Sequence, residues 1–203
     1  MSLNKLPPKQ GLYNPEFEHD ACGIGVVANI KGKKSHQTVE QAITILVNLA
    51  HRGGNGAESN TGDGAGILIQ IPHNFFAKAC SLEGFSLSNA GEYGIGMIFL
   101  PQNKDEREQC EKILQHVIEE EGQTLLGWRT VPYNDKNLGK SAKAAMPYIR
   151  QIFVGKSDDI TDEMAFERKL YIIRKRVEKL TKEKDLNFYA ASFSARTIVY
   201  KGM

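Results

Sequence analysis

Three segments of the chain place apolar residues at the three- and four-residue spacing of an amphipathic helix. The first begins near His36 and ends at Gly53 and Gly54, since glycine is typical of helix ends. The last is a charged segment over Thr161–Lys182, and a shorter helix is expected after Pro72. The apolar positions are Val39, Ala42, Ile43, Leu46, Val47 and Ala50 in the first segment, Cys110, Ile113, Leu114, Val117 and Ile118 in the second, and Phe166, Leu170, Ile173, Val177 and Leu180 in the third.

Short apolar runs between these segments predict β-strands. The run ILIQI follows a glycine-rich loop and is predicted to be a buried strand. The final runs, NFYAASFS and TIVYKG, meet at Ala195–Arg196 and are predicted to pair as a hairpin. Mixed helices and strands without a repeat indicate an α+β domain, either a helix-covered sheet or two sheets between helices. The other predicted strands are the run after Cys22 and residues 93–100, 125–131 and 149–155, with glycines at 25, 94 and 96 that indicate close packing or bends.

Composition is that of an ordinary globular protein, with 41% hydrophobic and 25% charged residues. A net charge of +2 gives no field that would recruit nucleic acid or a membrane surface, and no apolar run is long enough for a membrane helix. Neither is therefore expected as a partner. The 3 cysteines lack paired spacing and the 5 histidines are scattered, so neither a disulfide framework nor a metal site is expected. A cytoplasmic location is the simplest prediction.

Cys22 lies at the start of the first predicted strand, directly after the polar arm Met1–Ala21. Cleavage between Ala21 and Cys22 would give the cysteine a free α-amine, whose pKa of about 7.7–8.0 lies close to the thiol value of about 8.5. The amine could then take the thiol proton near neutrality without a histidine. Composition alone favours the alternative, a small buried hydrophobic residue in a strand.

Arg52 and Gly53 follow the first predicted helix. The guanidinium of Arg52 could hold a carboxylate or a carbonyl, and Gly53 could let two backbone segments approach closely. The alternative is a basic helix C-terminus with a glycine cap. The loop TGDGAG lacks the lysine of a phosphate-binding loop and leads into a strand, so nucleotide binding is not expected there. Cys80 and Cys110 lie on apolar helix faces and are expected in the core.

Four blocks of the sequence together resemble one family. They are GLYNPEFEHDACGIG, LAHRGGNGAES, TGDGAGILIQIPHNFF and FYAASFSARTIVYKGM. They resemble the N-terminal region of the glutamate synthase family, from about Gly11 to the last residue. The spacing from the cysteine to His-Arg-Gly is similar to class II glutamine amidotransferases in general, whereas TGDGAG and EHDACG favour glutamate synthase.

The resemblance implies a four-layer αββα Ntn-hydrolase sandwich, of which this chain would carry the N-terminal half only. It implies that residues 1–21 are a propeptide arm and that residues 22–203 are part of an amidotransferase domain. Cys22 would be the catalytic nucleophile, attacking the side-chain amide of glutamine to release ammonia through a thioester. Arg52 and Gly53 would support the cysteine loop at the substrate-binding site.

The same resemblance implies partners beyond this chain. Ammonia would feed reductive synthesis of glutamate from 2-oxoglutarate in a synthase domain that holds FMN and an iron–sulfur cluster, so no cofactor is expected here. Glutamine, the remainder of the large subunit and a small flavoprotein subunit are the implied partners. The family's oxyanion and glutamine-binding groups have no match before Met203, so the isolated chain is expected to be an inactive fragment. The alternative is a non-catalytic remnant that acts as a structural or interaction module.

Overall fold

The protein is described from a computed structural model, which covers residues 8–11, 14, 23–53, 58, 61–62 and 64–202. The chain divides into two compact units, Met1–Gly64 and Ala65–Met203. The helices are α1 (His36–Asn48), α2 (His73–Leu82), α3 (Lys104–Glu120), α4 (Lys140–Ala145) and α5 (Glu163–Glu183), and the strands are β1 (Ala65–Gln70), β2 (Tyr93–Leu100), β3 (Thr124–Thr130), β4 (Tyr148–Gly155), β5 (Tyr189–Ser194) and β6 (Thr197–Gly202). None of the helices in these ranges is long and apolar enough to span a bilayer.

The first unit contains α1, the predicted amphipathic helix. Ser35 caps its N-terminus, because the Oγ atom accepts a hydrogen bond from the amide of Thr38 at 3.2 Å. The predicted apolar face is only partly correct. Ile43 and Val47 are 48% and 68% exposed, whereas Ile45 is half-buried. The other half-buried apolar residues of the helix and its cap are Val39, Ala42, Leu46 and Leu49.

The strand predicted after Cys22 is not observed within the described residues. Residues 23–29 run without a ladder partner, and a turn closed by a hydrogen bond from Gly32 to the carbonyl of Asn29 follows them. The apolar run was the reason for predicting a strand, but strand formation also requires a neighbouring strand to pair with.

The second unit is built on a four-stranded antiparallel sheet with the strand order β3-β4-β2-β5. β2 and β4 pair along their full length, from Tyr93 opposite Gly155 to Leu100 opposite Tyr148. The edge strands β3 and β5 are each shifted by a bulge against their partners. Bulges bend edge strands and hinder pairing with other chains.

Alternate side chains of this sheet enter two hydrophobic cores. On one face the sheet packs against α3 and α5, and on the other against α2, β1 and β6. The helix faces agree with prediction, except that Leu180 is only partly buried and Ile113 packs at the edge of its core. The fully buried helix residues include Cys110, Leu114, Val117 and Ile118 in α3 and Phe166, Leu170, Ile173 and Val177 in α5.

β2 approaches α5 closely at Gly94, where an added Cβ would require Leu170 to shift. An ideal Cβ at Gly94 would lie 2.4 Å from Leu170 Cδ1, and one at Gly96 would lie 2.6 Å from Ile152 Cγ2. Both distances are well below ordinary carbon–carbon contact. The close packing predicted from the glycines in this strand is therefore confirmed.

The hairpin predicted for the last two strands is wrong. β5 and β6 are consecutive in the chain, but β5 pairs with β2 while β6 pairs with β1 in a separate two-stranded sheet. Side chains of α5 hold the corner between them. Glu167 Oε1 accepts hydrogen bonds from Ser194 Oγ and the amide of Ala195, and Arg196 donates two hydrogen bonds to Glu163. The chain therefore crosses from one sheet to the other at this point.

The two-stranded sheet also corrects the prediction of a buried strand at ILIQI. β1 forms, but Leu68 is 64% exposed, and Ile67 and Ile69 are only half-buried. Their ladder partners on β6 are Tyr200 and Ile198. The second unit thus has a helix pair, a four-stranded sheet and a further layer of α2 with the two-stranded sheet. The fold is α+β, as predicted, and both sheets of the second unit are antiparallel.

Candidate functional site

Cys22, the predicted nucleophile, directly precedes Gly23 in the sequence, and Gly23 lies against Leu49. Cys22 and the side chain of Arg52 lie outside the described residues, whereas Gly53 and the segment that begins at Gly23 lie within them. The described parts of the candidate site are therefore the segment after Cys22 and the end of α1.

Two glycines let the segment after Cys22 lie against α1. An ideal Cβ on Gly25 would lie 2.4 Å from Ile45 Cγ2, and one on Gly23 would lie 2.9 Å from Leu49 Cδ2. A side chain at either position would push the segment away from the helix. The prediction that Gly25 marks close packing is confirmed, although the partner is a helix and not a neighbouring strand.

The His-Arg-Gly element continues directly from the helix residue that meets Gly23. Leu49 caps α1, since its amide donates to the carbonyls of Ile45 and Leu46. A 3-10 turn over Ala50–Arg52 follows, and the amide of Gly53 donates to the carbonyl of Ala50 at 3.2 Å. His51 Nδ1 lies 2.9 Å from the carbonyl of Asn48, which fixes the ring at the helix end.

The segment that begins at Gly23 therefore lies against the C-terminal part of α1. The residue after Cys22 touches Leu49, and Leu49 lies three positions before Arg52 in the chain. Gly53 has an extended backbone, with φ −84° and ψ 143°, so its conformation does not require glycine. Its predicted role of permitting a close backbone approach stays a prediction.

Sequence reasoning missed Ile45 and Leu49. Helical spacing assigned the packing face of α1 to a set that included Ile43 and Val47, which are largely exposed. The glycines at positions 23 and 25 were the feature of the sequence that indicated this contact, because a segment without side chains at these two positions can approach a helix closely. They did not reveal which helix residues would form it.

The other two cysteines are unsuited to nucleophilic chemistry. Cys80 and Cys110 are both fully buried, as predicted, and they lie in separate hydrophobic cores on opposite faces of the sheet. Burial raises the pKa of the Cys80 thiol to about 12 and that of Cys110 to about 11. Since the thiolate is the reactive form, both side chains are inert near neutral pH.

These buried thiols give an expected dependence of stability on pH. Both folded-state pKa values exceed the ordinary value of 9.0, so above that pH the unfolded chain releases protons that the folded chain retains. Their contribution to the free energy of unfolding is complete below pH 9.0 and falls as pH rises through the folded pKa values. Urea unfolding below and above that pH measures the decline, which should be smaller in Cys110→Ala. An equal decline in both proteins would contradict this assignment.

Within the described ranges, no group of three or more histidine, cysteine, aspartate or glutamate side chains is placed to hold a metal ion. The acidic residues near α5 have structural roles instead. Asp162 caps the helix by accepting hydrogen bonds from the amides of Met164 and Ala165, and these bonds lower the pKa of its carboxyl group. Glu163 lies in the first turn and pairs with Arg196.

One polar network connects the two sheets of the second unit. Gln151 is fully buried on β4, where it accepts a hydrogen bond from Arg129 at 2.8 Å and donates one to the hydroxyl of Tyr200 at 2.9 Å. Both ends of the amide are therefore used within the fold. The network stabilises the packing of β6 against the larger sheet, since an unpaired buried amide would cost about 1–3 kcal/mol.

Comparison with known proteins gives consistent matches along the whole chain. It is 51% identical over 203 residues to the glutamate synthase [NADPH] large chain of Bacillus subtilis (strain 168), covering 100% of this chain and 13% of that protein. It is 44% identical over 193 residues to the corresponding large chain of Azospirillum brasilense, covering 94% and 13% of the two. The chloroplastic ferredoxin-dependent glutamate synthase of Oryza sativa subsp. japonica is 42% identical over 190 residues, covering 92% and 12%.

The family match locates the domain within the chain. The sequence model of the family described as Glutamine amidotransferases class-II matches residues 22–203, so its first matched residue is Cys22. The chain spans only 12–13% of the length of the three relatives named above. The chain belongs to the class-II glutamine amidotransferases, and it is similar along its full length to the N-terminal region of glutamate synthase large chains.

Proposed function

We propose that this chain contributes the nucleophile for hydrolysis of glutamine to glutamate and ammonia, with Cys22 acting as an N-terminal nucleophile. The observation that carries the proposal is the start of the family match at Cys22, after an arm of 21 residues that the match does not include. We assign residues 1–21 as a propeptide arm and residues 22–203 as part of the amidotransferase domain.

The α-amine of Cys22 is the general base in this proposal. Its reference pKa of about 7.7–8.0 lies less than one unit below the thiol value of about 8.5, a difference of roughly 1 kcal/mol. The amine can therefore accept the thiol proton near neutral pH. Before cleavage the same nitrogen belongs to the Ala21–Cys22 amide and cannot accept a proton.

The reaction then proceeds in two steps. The Cys22 thiolate attacks the side-chain carbonyl carbon of glutamine, and an S–C bond forms as the carbonyl becomes an oxyanion. The oxyanion collapses, the C–N bond breaks, and the nitrogen leaves as ammonia with the proton held by the α-amine. Water, deprotonated by the same amine, attacks the resulting thioester and releases glutamate with regeneration of the thiol.

Arg52 and Gly53 support the cysteine loop in this proposal. The 3-10 turn Ala50–Arg52 lies between Leu49 and Gly53, and Leu49 contacts the residue that follows Cys22. Their placement at the end of α1 is consistent with a role in holding the loop and not in bond breaking. We also propose that the complete domain is a four-layer αββα sandwich. Two packed sheets with helices on one side can bury the remaining sheet face under a helix layer on the other side.

The ammonia has a use in proteins similar to this one. The relatives are glutamate synthases whose names specify NADPH or ferredoxin. We propose that ammonia passes to a synthase domain in the remainder of the large subunit, with a small flavoprotein subunit as a further partner. FMN and an iron–sulfur cluster would supply the electrons there. Cys80 and Cys110 do not fit such a cluster, because each is buried alone in a different core.

A glutamine-like electrophile tests the proposed nucleophile. A chloroketone or diazoketone analogue of glutamine, incubated with the protein encoded by the complete gene, is expected to modify Cys22 and to spare Cys80 and Cys110, which are buried. Peptide mapping identifies the modified residue, and excess glutamine should protect it. Modification that persists unchanged in Cys22→Ser would show that another residue is the nucleophile, whereas no modification would favour the non-catalytic alternative.

A further inference from the structure

We propose that Ile45 and Leu49 of α1 are positioning residues for the nucleophile, acting through the glycines at positions 25 and 23. This inference rests on the proposed role of Cys22 and adds to it the part of the fold that holds the nucleophile in place. The two helix side chains form the surface on which the segment after Cys22 lies.

The contact at Gly25 is the more rigid of the two. The helix atom nearest to its ideal Cβ is Ile45 Cγ2 at 2.4 Å, followed by Cδ1 at 3.2 Å and Cβ at 3.5 Å. Cγ2 is bonded directly to Cβ in a β-branched side chain, which has essentially one favourable χ1 rotamer within a helix. The methyl group therefore cannot rotate away, and a side chain at position 25 must displace the segment.

The contact at Gly23 is softer, and its partner on α1 is the residue that precedes the His-Arg-Gly turn. An ideal Cβ there would meet Leu49 Cδ2 at 2.9 Å, Cδ1 at 3.1 Å and Cγ at 3.2 Å. These atoms lie toward the end of a side chain with two rotatable bonds, so part of the clash can be relieved. Leu49 also caps α1 and directly precedes the turn that contains Arg52. The same residue thus borders both the turn and the segment that begins at Gly23.

Displacement of the segment acts on the nucleophile through the chain. Cys22 is bonded to Gly23, and consecutive Cα atoms are separated by about 3.8 Å across a trans peptide, so the position of Gly23 limits where Cys22 can be held. The thiol and its proposed base both belong to Cys22, so their proton transfer is independent of the helix. The placement of the thiolate against the bound glutamine depends on the helix, and a 1 Å misplacement can cost about 100-fold in rate.

A size exchange across each contact separates positioning from general stability. Gly25→Ala is expected to lower kcat for glutamine hydrolysis by about 100-fold with a smaller change in KM. Adding Ile45→Ala removes Cγ2 and Cδ1 and leaves only Cβ at 3.5 Å, an ordinary contact, so the double variant should recover at least about 10-fold of the loss. Gly23→Ala should have a smaller effect, relieved by Leu49→Ala. The assays use the protein encoded by the complete gene, with its start at Cys22 verified by mass spectrometry.

The two control variants carry the same types of substitution, glycine to alanine and isoleucine to alanine, at positions outside the contact. Gly202→Ala adds a methyl group where no atom lies within 4 Å, and Ile43→Ala removes an exposed isoleucine from the same helix. Both should keep wild-type kcat. The rate of alkylation of Cys22 by iodoacetamide, and its dependence on pH, should be unchanged in Gly25→Ala, because amine and thiol remain paired within one residue.

Each outcome decides the proposal. Recovery in the double variants supports it, whereas full activity of Gly25→Ala, or a loss that Ile45→Ala does not relieve, overturns it. If Gly25→Ala does not fold, the pair Gly23→Ala and Leu49→Ala decides by the same criterion. Activity that survives Cys22→Ala would instead remove the proposed function, so the two failures are distinguishable.

Discussion

Cys22→Ala is expected to abolish glutamine-dependent glutamate formation while ammonia-dependent formation continues. Alanine has no thiol, so neither the attack on glutamine nor the thioester can occur. Removing a catalytic nucleophile costs on the order of 10⁴–10⁶-fold in turnover. The reductive step that uses ammonia belongs, in the proposed arrangement, to a different part of the enzyme. The measurement is glutamate formed from 2-oxoglutarate with either glutamine or an ammonium salt as nitrogen donor.

Cys110→Ala is the matched control, because it removes a thiol that is buried among apolar residues. It should keep both activities and lose only some stability. If Cys22→Ala lowered both activities equally, the cysteine would be needed for more than ammonia release, and the proposal of separate sites would be wrong.

A single extra residue before Cys22 is expected to have the second largest effect. A protein that begins with one added glycine keeps the Cys22 thiol, but its α-amine lies one residue away and the nitrogen of Cys22 becomes an amide. Loss of a positioned general base costs about 10²–10⁴-fold. Glutamine hydrolysis at a pH near 8, where the amine and thiol titrate, compares this variant with the protein that begins at Cys22.

Removal of the added glycine provides the control for that experiment. Trimming with an aminopeptidase should restore turnover in the same sample, with the mass of the chain as a check. Equal turnover before and after trimming would show that a group other than the α-amine accepts the proton.

The buried faces of α3 and α5 are predictable from the sequence, because apolar residues at helical spacing identify them. The buried residues of α5 include Phe166, Leu170, Ile173 and Val177, each of which the helical period had placed on one face. By contrast, α4 was missed. It has only six residues, Lys140–Ala145, with one fully buried side chain, Ala142. So short a helix has too few positions to show a period.

The pairing of the last two strands could not be predicted in the same way. Adjacent apolar runs suggested a hairpin, yet the corner at Ser194 and Arg196 depends on glutamates of α5 that lie about 30 positions earlier. Ser194 Oγ also accepts from the amides of Arg196 and Thr197, which turns the chain without a hairpin ladder. Such long-range contacts leave no local pattern.

For the candidate site, the sequence indicated which residues could carry the chemistry, but not which residues pack against them. Cys22 and Arg52 were singled out from motif and resemblance, and their roles stay predictions. The glycine at position 25 indicated a close approach, but Ile45 as its partner required the structure. The reason is physical. A glycine in the sequence indicates that another part of the chain can approach closely, whereas the identity of that part depends on the three-dimensional path of the chain.

Direct capture of the γ-glutamyl thioester tests whether Cys22 is the N-terminal nucleophile. The protein is mixed with glutamine, quenched in acid during turnover, digested and mapped by mass spectrometry. If Cys22 is the N-terminal nucleophile, a glutamyl group that is sensitive to hydroxylamine, as a thioester is, will be found on a peptide whose first residue is Cys22. A glutamyl group on any other residue, or on a peptide that still carries Ala21 before Cys22, would contradict it.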